Sequence, residues 1–459
     1  MSTTKTKAIA RSSMALALGL LTACATTSPA GPRGEASELL AQRAGVEDAI
    51  SPEQDEQSRT RVRQRVRALL AEPLSAERAV QVAMLNNREL QATLEELGVA
   101  QAELVEAGLL ENPVIAGDLV FSTRGNGLGG GLSLSQSLLS VFLIPAKRRV
   151  AKARLQHAIV TVAHEALVLV RDVKVAHAEV WAAAATVQLH RTRVQAAEVA
   201  DELAAKQLEA GNLPPLDRAF HGAALDEARL ELAEAEVELV AAREALSRLL
   251  GLWGSDVAWT VADAPVELPP AEPEPSALEA RAVSERLDLS AARFEVEAME
   301  RAVQLRRRGV IPQLEAGVES RNEVGDDEGH EWVLGPSLAV ELPIFDPGHA
   351  DLARLRAELR RAQHLLQHRA IVVRSEVREH RAALAMARRS VSYMHEQALP
   401  RQAQIGDLAL QQYNAMLIGT YELLQLRAEA LAVQEDAVEA LRDYWVTRAQ
   451  LELALGGEL

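Results

Sequence analysis

The chain has 459 residues, a formal net charge of −16 at pH 7, a single cysteine and only 3% aromatic residues. So acidic a chain is a poor nucleic-acid ligand, since binding phosphates needs clustered Lys and Arg. One cysteine excludes an internal disulfide, and the absence of any apolar run of about 18 residues excludes a transmembrane helix.

In chain order, the first segment reads as an address. Lys5, Lys7 and Arg11 precede a short apolar run, residues 14–21, too short to span a bilayer. Leu21-Thr22-Ala23-Cys24 then resembles the bacterial lipobox, which implies a signal peptide over 1–23, cleavage before Cys24 and acylation of its thiol. Loss of Lys5, Lys7 and Arg11 takes the formal charge from −16 to −19. No Asp follows at the second mature position, which favours the outer membrane over the inner one. Residues 24–73 are expected to form a lipidated N-terminal tail, with 25–58 Pro/Gly/Ser- and acid-rich and lying on the surface.

Ser75 can cap a helix that runs to about residue 110, past a soft spot at Asn86-Asn87, until Asn112-Pro113 stops it. Alternation then predicts strands over 114–123 and 131–141, of the ~10 residues that a tilted membrane strand needs. Residues 146–210 contain no proline and no glycine and predict a helix roughly 100 Å long. Gly211-Asn212-Leu213-Pro214-Pro215 turns the chain. A second helix returns over 216–250 with a heptad seam of Leu225, Leu232, Leu239 and Leu246 beside Ala228, Ala235, Ala242 and Leu249. A proline-rich linker, 263–275, separates this first helix–hairpin–helix repeat, 74–262, from a second, 276–459.

The second repeat runs a helix to Arg308, strands over 313–322 and 332–342, a rod from Gly348 towards Tyr413, a turn over 416–421 and a last helix to Leu455. The last helix has a looser seam of Leu424, Leu431, Val438 and Trp445. Gln207 falls on Gln412, Leu216-Asp217 on Tyr421-Glu422 and Leu250-Gly251 on Leu455-Gly456, at one shift of 205 residues that marks a duplication. Leu314, Ala316 and Val318 point to one face of their strand, and Glu315, Gly317 and Glu319 to the other. Leu334, Leu338 and Val340 likewise oppose Gly335, Ser337 and Glu341. Apolar outside and polar inside is a barrel-wall pattern. Four strands cannot close a barrel, and lipid does not tolerate an open edge, so the chain must oligomerise if these strands span a membrane.

Together the lipobox, the two repeats, Leu-Pro-Ile-Phe-Asp-Pro-Gly at 342–348 and Leu-Gly-Gly at 455–457 resemble the TolC-like outer-membrane efflux proteins over residues 74–457. The resemblance implies a mainly α fold with membrane β. Long coiled-coil helices would form an α-barrel, and the two β-hairpins would contribute four strands to a trimeric transmembrane β-barrel. It also implies a homotrimer in outer-membrane lipid, extending into the periplasm as a passive exit duct. That duct would be served by a periplasmic adaptor and an inner-membrane pump, for drugs or heavy-metal cations, with no cofactor. The expected docking surface for the adaptor is the pair of tips, at Gly211, Leu213, Pro214, Ile418 and Gly419. By the family pattern Glu422 and Gln425 line the periplasmic mouth, with Asp217 as the duplicate of Glu422. Glu315, Glu319 and Glu341 extend a negative field through the barrel lumen. The family's Tyr-x-x-Gly at the second tip is replaced here by Tyr413-Asn414-Ala415-Met416.

Other chemistry fits less well. Gly125–Gly130 matches GxGxxG but precedes alternating Leu-Ser pairs rather than a helix that could hold a pyrophosphate. His364 and His368 lie one helical turn apart without a third ligand, and His164-Glu165 and His395-Glu396 lack the second His of a zincin. No enzyme is expected. The basic clusters 147–149 and 306–308, where helix meets strand, suit lipid headgroups. A periplasmic coiled-coil structural lipoprotein is the competing reading, since heptads alone would allow it.

Overall fold

The computed structural model describes residues 30–45, 56–121, 128–138, 140–262, 268–269, 277–308, 313–324, 330–341, 344–345 and 347–459. Cys24 with the whole address segment, the loop residues 122–127 and 325–329, Leu342 and most of the proline-rich linker lie outside them. The chain divides into two units. One holds 96–156 and 295–360 with the first residues of the N-terminal helix, and the other holds 33–95, 157–294 and 361–459.

The first unit carries one antiparallel sheet in the order β1 (Val114–Phe121), β2 (Leu128–Ser137), β3 (Gln313–Val324), β4 (His330–Glu341). All four strands appear where alternation predicts them, with shifted ends: β2 spans 128–137 rather than 131–141, β3 runs on to Val324, and β4 begins two residues early, at His330. β2 ends at Ser137, so Val141 and Phe142 already belong to a helix that starts at Ser140 and carries Pro145 within it. The run from Leu138 to Ile144 is almost wholly apolar, and such a run does not distinguish strand from helix. Lys147 consequently lies well inside that helix rather than at its N-terminus, and pairs with Glu111 at 3.2 Å. Arg306 pairs with Asp351 at 3.3 Å.

The second unit is helical. Two helices precede the first repeat, α1 (Ala30–Ala44) and α2 (Glu56–Leu70), where the sequence suggests a surface tail. Ala36 and Leu40 of α1 and Val62 and Val66 of α2 are buried, and Glu458 N–H donates to the Arg43 carbonyl at 2.8 Å. Few apolar residues sufficed, because other helices supply the rest of the contact.

The soft spot at Asn86-Asn87 is a break between α3 (Ala76–Asn86) and α4 (Arg88–Glu106). Ser75 accepts from Arg78 N–H at the start of α3, and Asn87 Oδ1 accepts from Leu90 N–H at 2.8 Å, capping α4. α5 (Ser140–Glu209) is one continuous helix, followed by α6 (Pro215–Leu250). The second repeat copies this with α7 (Leu278–Glu285), α8 (Leu287–Arg308), α9 (His349–Tyr393), a π-helical turn at Met394–Ala398, α10 (Leu399–Asn414) and α11 (Thr420–Leu455).

Duplication reaches the hydrogen bonds. Gly251 N–H donates to Arg248 O and Leu252 N–H to Ser247 O; 205 residues later, Gly456 N–H donates to Leu453 O and Gly457 N–H to Glu452 O. Gly251 and Gly456 both hold a positive φ, 67° and 86°, which closes the helix end in the left-handed manner glycine permits. The seam of α6 is buried or half-buried at all eight expected positions. That of α11 is shifted: Ala437, Leu441, Tyr444, Leu451 and Leu455 are buried, whereas Leu424, Leu431, Val438 and Trp445 are only half-buried.

Candidate functional site: the sheet faces and the helix tips

Register decides which side chains share a face of the sheet. Glu315 pairs with Ala339 and Ser137, Glu319 with Gly335 and Ser133, Gly317 with Ser337 and Ser135, and Glu341 with Gln313. Cross-strand partners lie on one face, so Glu315, Glu319 and Glu341 share a face with Ser133, Ser135, Ser137 and Ser337. Arg321 joins them and pairs with Glu319 at 2.6 Å. The other face carries Ile115, Leu119, Phe121, Leu132, Leu134, Leu334 and Leu338, every one exposed. Among the described residues β1 and β4 each pair on one side only. The sheet therefore presents an uncovered apolar face and two open edges.

The two helix tips in the other unit share one backbone. Gly211 N–H donates to Leu208 O at 2.9 Å and Asn212 N–H to Gln207 O at 2.8 Å; Met416 N–H donates to Tyr413 O and Leu417 N–H to Gln412 O, both at 2.9 Å. Met416 takes φ 58° where Gly211 takes 73°, and it is the one non-glycine residue with positive φ among the described residues. The absent family glycine thus leaves the turn unchanged. Pro214 and Gly419 hold matching extended conformations, and the following helices begin one residue later.

Tyr421, at the start of α11, donates from Oη to Gln207 Oε1 on α5 at 3.0 Å and stacks on His221 of α6, with ring centroids 3.9 Å apart. Arg218 of α6 holds Asp201 of α5 through two hydrogen bonds, one of them 3.0 Å. The Tyr421 contacts bring the second tip against the first, and the Arg218–Asp201 pair ties α5 to α6 within the first. Glu422 lies exposed in the first turn of α11, Gln425 is exposed and bonds Glu429 at 3.3 Å, and Asp217 is half-buried in the first turn of α6. Leu213 and Ile418 are half-buried, whereas Gly211, Pro214 and Gly419 are exposed. Sequence reasoning overlooked Tyr421, His221 and Gln207 as a contact set. Within the tip that the sequence places over 416–421, Met416 and Leu417 are 92% and 75% exposed. A run from Tyr413 to Tyr421 without one charged residue was the available signal.

His364 and His368 are both exposed, and among the described residues no group of three or more His, Cys, Asp or Glu could hold a metal ion.

A profile of the family described as "Outer membrane efflux protein" matches residues 79–252 and 278–457. The cobalt-zinc-cadmium resistance protein CzcC of Cupriavidus metallidurans is 26% identical over 359 residues, covering 76% of this chain and 80% of CzcC. Solved outer membrane channels share the fold, two of them as follows. The CmeC outer membrane channel of Campylobacter jejuni matches with a TM-score of 0.70 at 16% identity, over 83% of this chain and 85% of CmeC. The open-state MtrE outer membrane channel of Neisseria gonorrhoeae matches with a TM-score of 0.65 at 16% identity, over 83% and 89%.

Proposed function

The chain belongs to the outer membrane efflux protein family, and on that premise we propose that it is the exit duct of a tripartite efflux system, working as a homotrimer. It is an outer-membrane efflux channel protein, a conduit rather than an enzyme. The observation that carries the finer reading is the sheet, with its exposed apolar face, its polar face holding Glu315, Glu319 and Glu341, and its two open edges. Hydrocarbon admits a sheet only when every edge is paired. Three copies supply twelve strands and close the edges, with the three glutamates of each copy in the lumen. Cys24 carries the acyl anchor. The tips, with Gly211, Leu213, Pro214, Ile418 and Gly419, dock a periplasmic adaptor fed by an inner-membrane pump. Glu422, Gln425 and Asp217 line the entrance.

Light scattering on the purified mature protein, followed by planar-bilayer recording, tests this reading. A trimer that conducts is expected; a monodisperse monomer, or a trimer without conductance, overturns it. Divalent metal cations are the solute class supported by the likeness to CzcC and by the acidic sheet face. Cells lacking the gene should then become sensitive to cobalt, zinc or cadmium. Unchanged metal tolerance together with new drug sensitivity would reassign the cargo to drugs.

A further inference from the structure

Three helices of the second unit converge on His190, a residue to which the duct reading gives no part. His190 and Arg193 lie one turn apart on α5, Glu231 faces them from α6 and Glu435 from α11. His190 is 8% exposed. Its Nδ1 lies 3.6 Å from Glu231 Oε2 and its Nε2 lies 3.4 Å from Glu435 Oε1. Arg193 bonds Glu231 at 2.6 Å and stands 4.0 Å from Glu435.

Two carboxylates therefore bracket one imidazole from opposite sides, sharing one guanidinium. A neutral imidazole has a single N–H and can serve one carboxylate only. The other nitrogen then turns a lone pair towards an anion, and Nδ1 is buried without a hydrogen-bond partner. Protonation changes both facts. It gives each nitrogen a hydrogen to donate, and it balances two negative charges with two positive ones. Histidine is also the side chain whose charge ordinarily changes within the physiological pH range.

We propose that His190 is a proton-operated tie, which on acidification draws α11 of the second repeat against α5 and α6 of the first. The tie does not depend on the duct reading, because it concerns contacts within one chain. Its members come from both repeats, so they report on how firmly the two halves are joined.

Hydrogen exchange in residues 428–442 of the full-length protein tests it, measured at about pH 5.5 and about pH 7.5, either side of the histidine range, and corrected for intrinsic exchange rates. Exchange in this segment should be severalfold slower at the lower pH. His190→Gln and Glu435→Gln should each remove the difference, and His190→Lys, a permanent cation, should give slow exchange at both pH values. Glu435→Gln leaves the Arg193–Glu231 pair in place and carries the test should His190→Gln fail to fold. Wild-type exchange that does not slow on acidification overturns the proposal, as does a pH effect that survives in Glu435→Gln.

Discussion

Met416 shows how one residue can keep a turn that its side chain opposes. An L-residue in the left-handed region costs about 1–2 kcal/mol, and nothing in the chain offsets it, since the side chain is almost wholly exposed. Met416→Gly should therefore stabilise the protein, by about 0.5–1 kcal/mol once the extra freedom of glycine in the unfolded chain is subtracted. Gly211→Met should lose a similar amount, through backbone strain alone, because a Cβ there meets no atom within 4 Å. Thermal unfolding of both variants checks the pair, and equal midpoints would contradict it. Arg286 is the opposite case, held by its surroundings. Its guanidinium donates to Asp288 at 2.8 and 3.0 Å, to Glu376, and to the Ala454 carbonyl at 3.5 Å. Burial raises the Asp288 carboxyl, but Arg286 outweighs burial and holds it below the usual carboxylate range. Arg286→Ala should cost about 3–5 kcal/mol, because it strands a buried charge. Replacing Arg286 and Asp288 together with Met and Leu should recover much of that loss in a denaturation experiment.

Among the elements, α5 carries two histidines that make folding sensitive to acid. Burial pushes His164 and His177 below the ordinary histidine range. Asp288 and Glu165 only partly counter this for His164, and the bond from His177 Nε2 to the Leu74 carbonyl, 2.9 Å, only partly counters it for His177. The unfolded chain then binds more protons than the folded one, so this stability is complete above about pH 6.5, the unfolded histidine value, and is lost as pH falls towards the lower folded values. The melting temperature should drop below about pH 6.5, and His177→Gln should make the drop shallower; an unchanged slope would sink the assignment. This global effect has the opposite sign to the local one expected at His190, which is why exchange in α11 separates them. The same elements show what a sequence makes legible. Period-two alternation found β3 and β4 because one face of each is polar. The duplication placed both tips, since a turn that repeats at 205 residues repeats its hydrogen bonds. The burial of α1 was hidden because the partners of its Arg33 and Arg43 (Glu95, Glu285 and Glu458) lie far along the chain, and composition registers only the polar side. In α11, leucines at 424 and 431 suggested a seam that the packing places elsewhere, because a helix touched on several sides carries more than one apolar stripe. The Tyr421–Gln207–His221 contact joins three helices, and no local pattern announces it.

At the scale of the whole molecule, the exposed apolar residues of α6 bear on assembly. Leu230 and Val237, seven residues apart, remain exposed on the opposite side from the buried Leu225 and Ala228. In a trimer they are candidates for contact between copies, so Leu230→Asp with Val237→Asp should lower trimer yield while a helical monomer persists, as scattering and circular dichroism would show. The mouth gives the last expectation. Glu422 is exposed in the first turn of α11, just past the Tyr421 contact that joins the two tips. Three copies facing one axis would set three carboxylates around a constriction whose low-dielectric walls concentrate their field. Cations would then be drawn in and anions repelled, most strongly at low salt, because screening shortens the reach of exposed charge. Glu422→Gln removes those charges at nearly constant size and leaves Tyr421 to hold the tip. The wild-type channel should show cation preference in its reversal potential under a salt gradient, the mutant a smaller one, and the gap between them should narrow as ionic strength rises. Glu315→Gln with Glu319→Gln separates the two sources of field, since it removes charge from the sheet and leaves the mouth intact. A Glu422→Gln channel with the wild-type reversal potential would place Glu422 outside the conducting path.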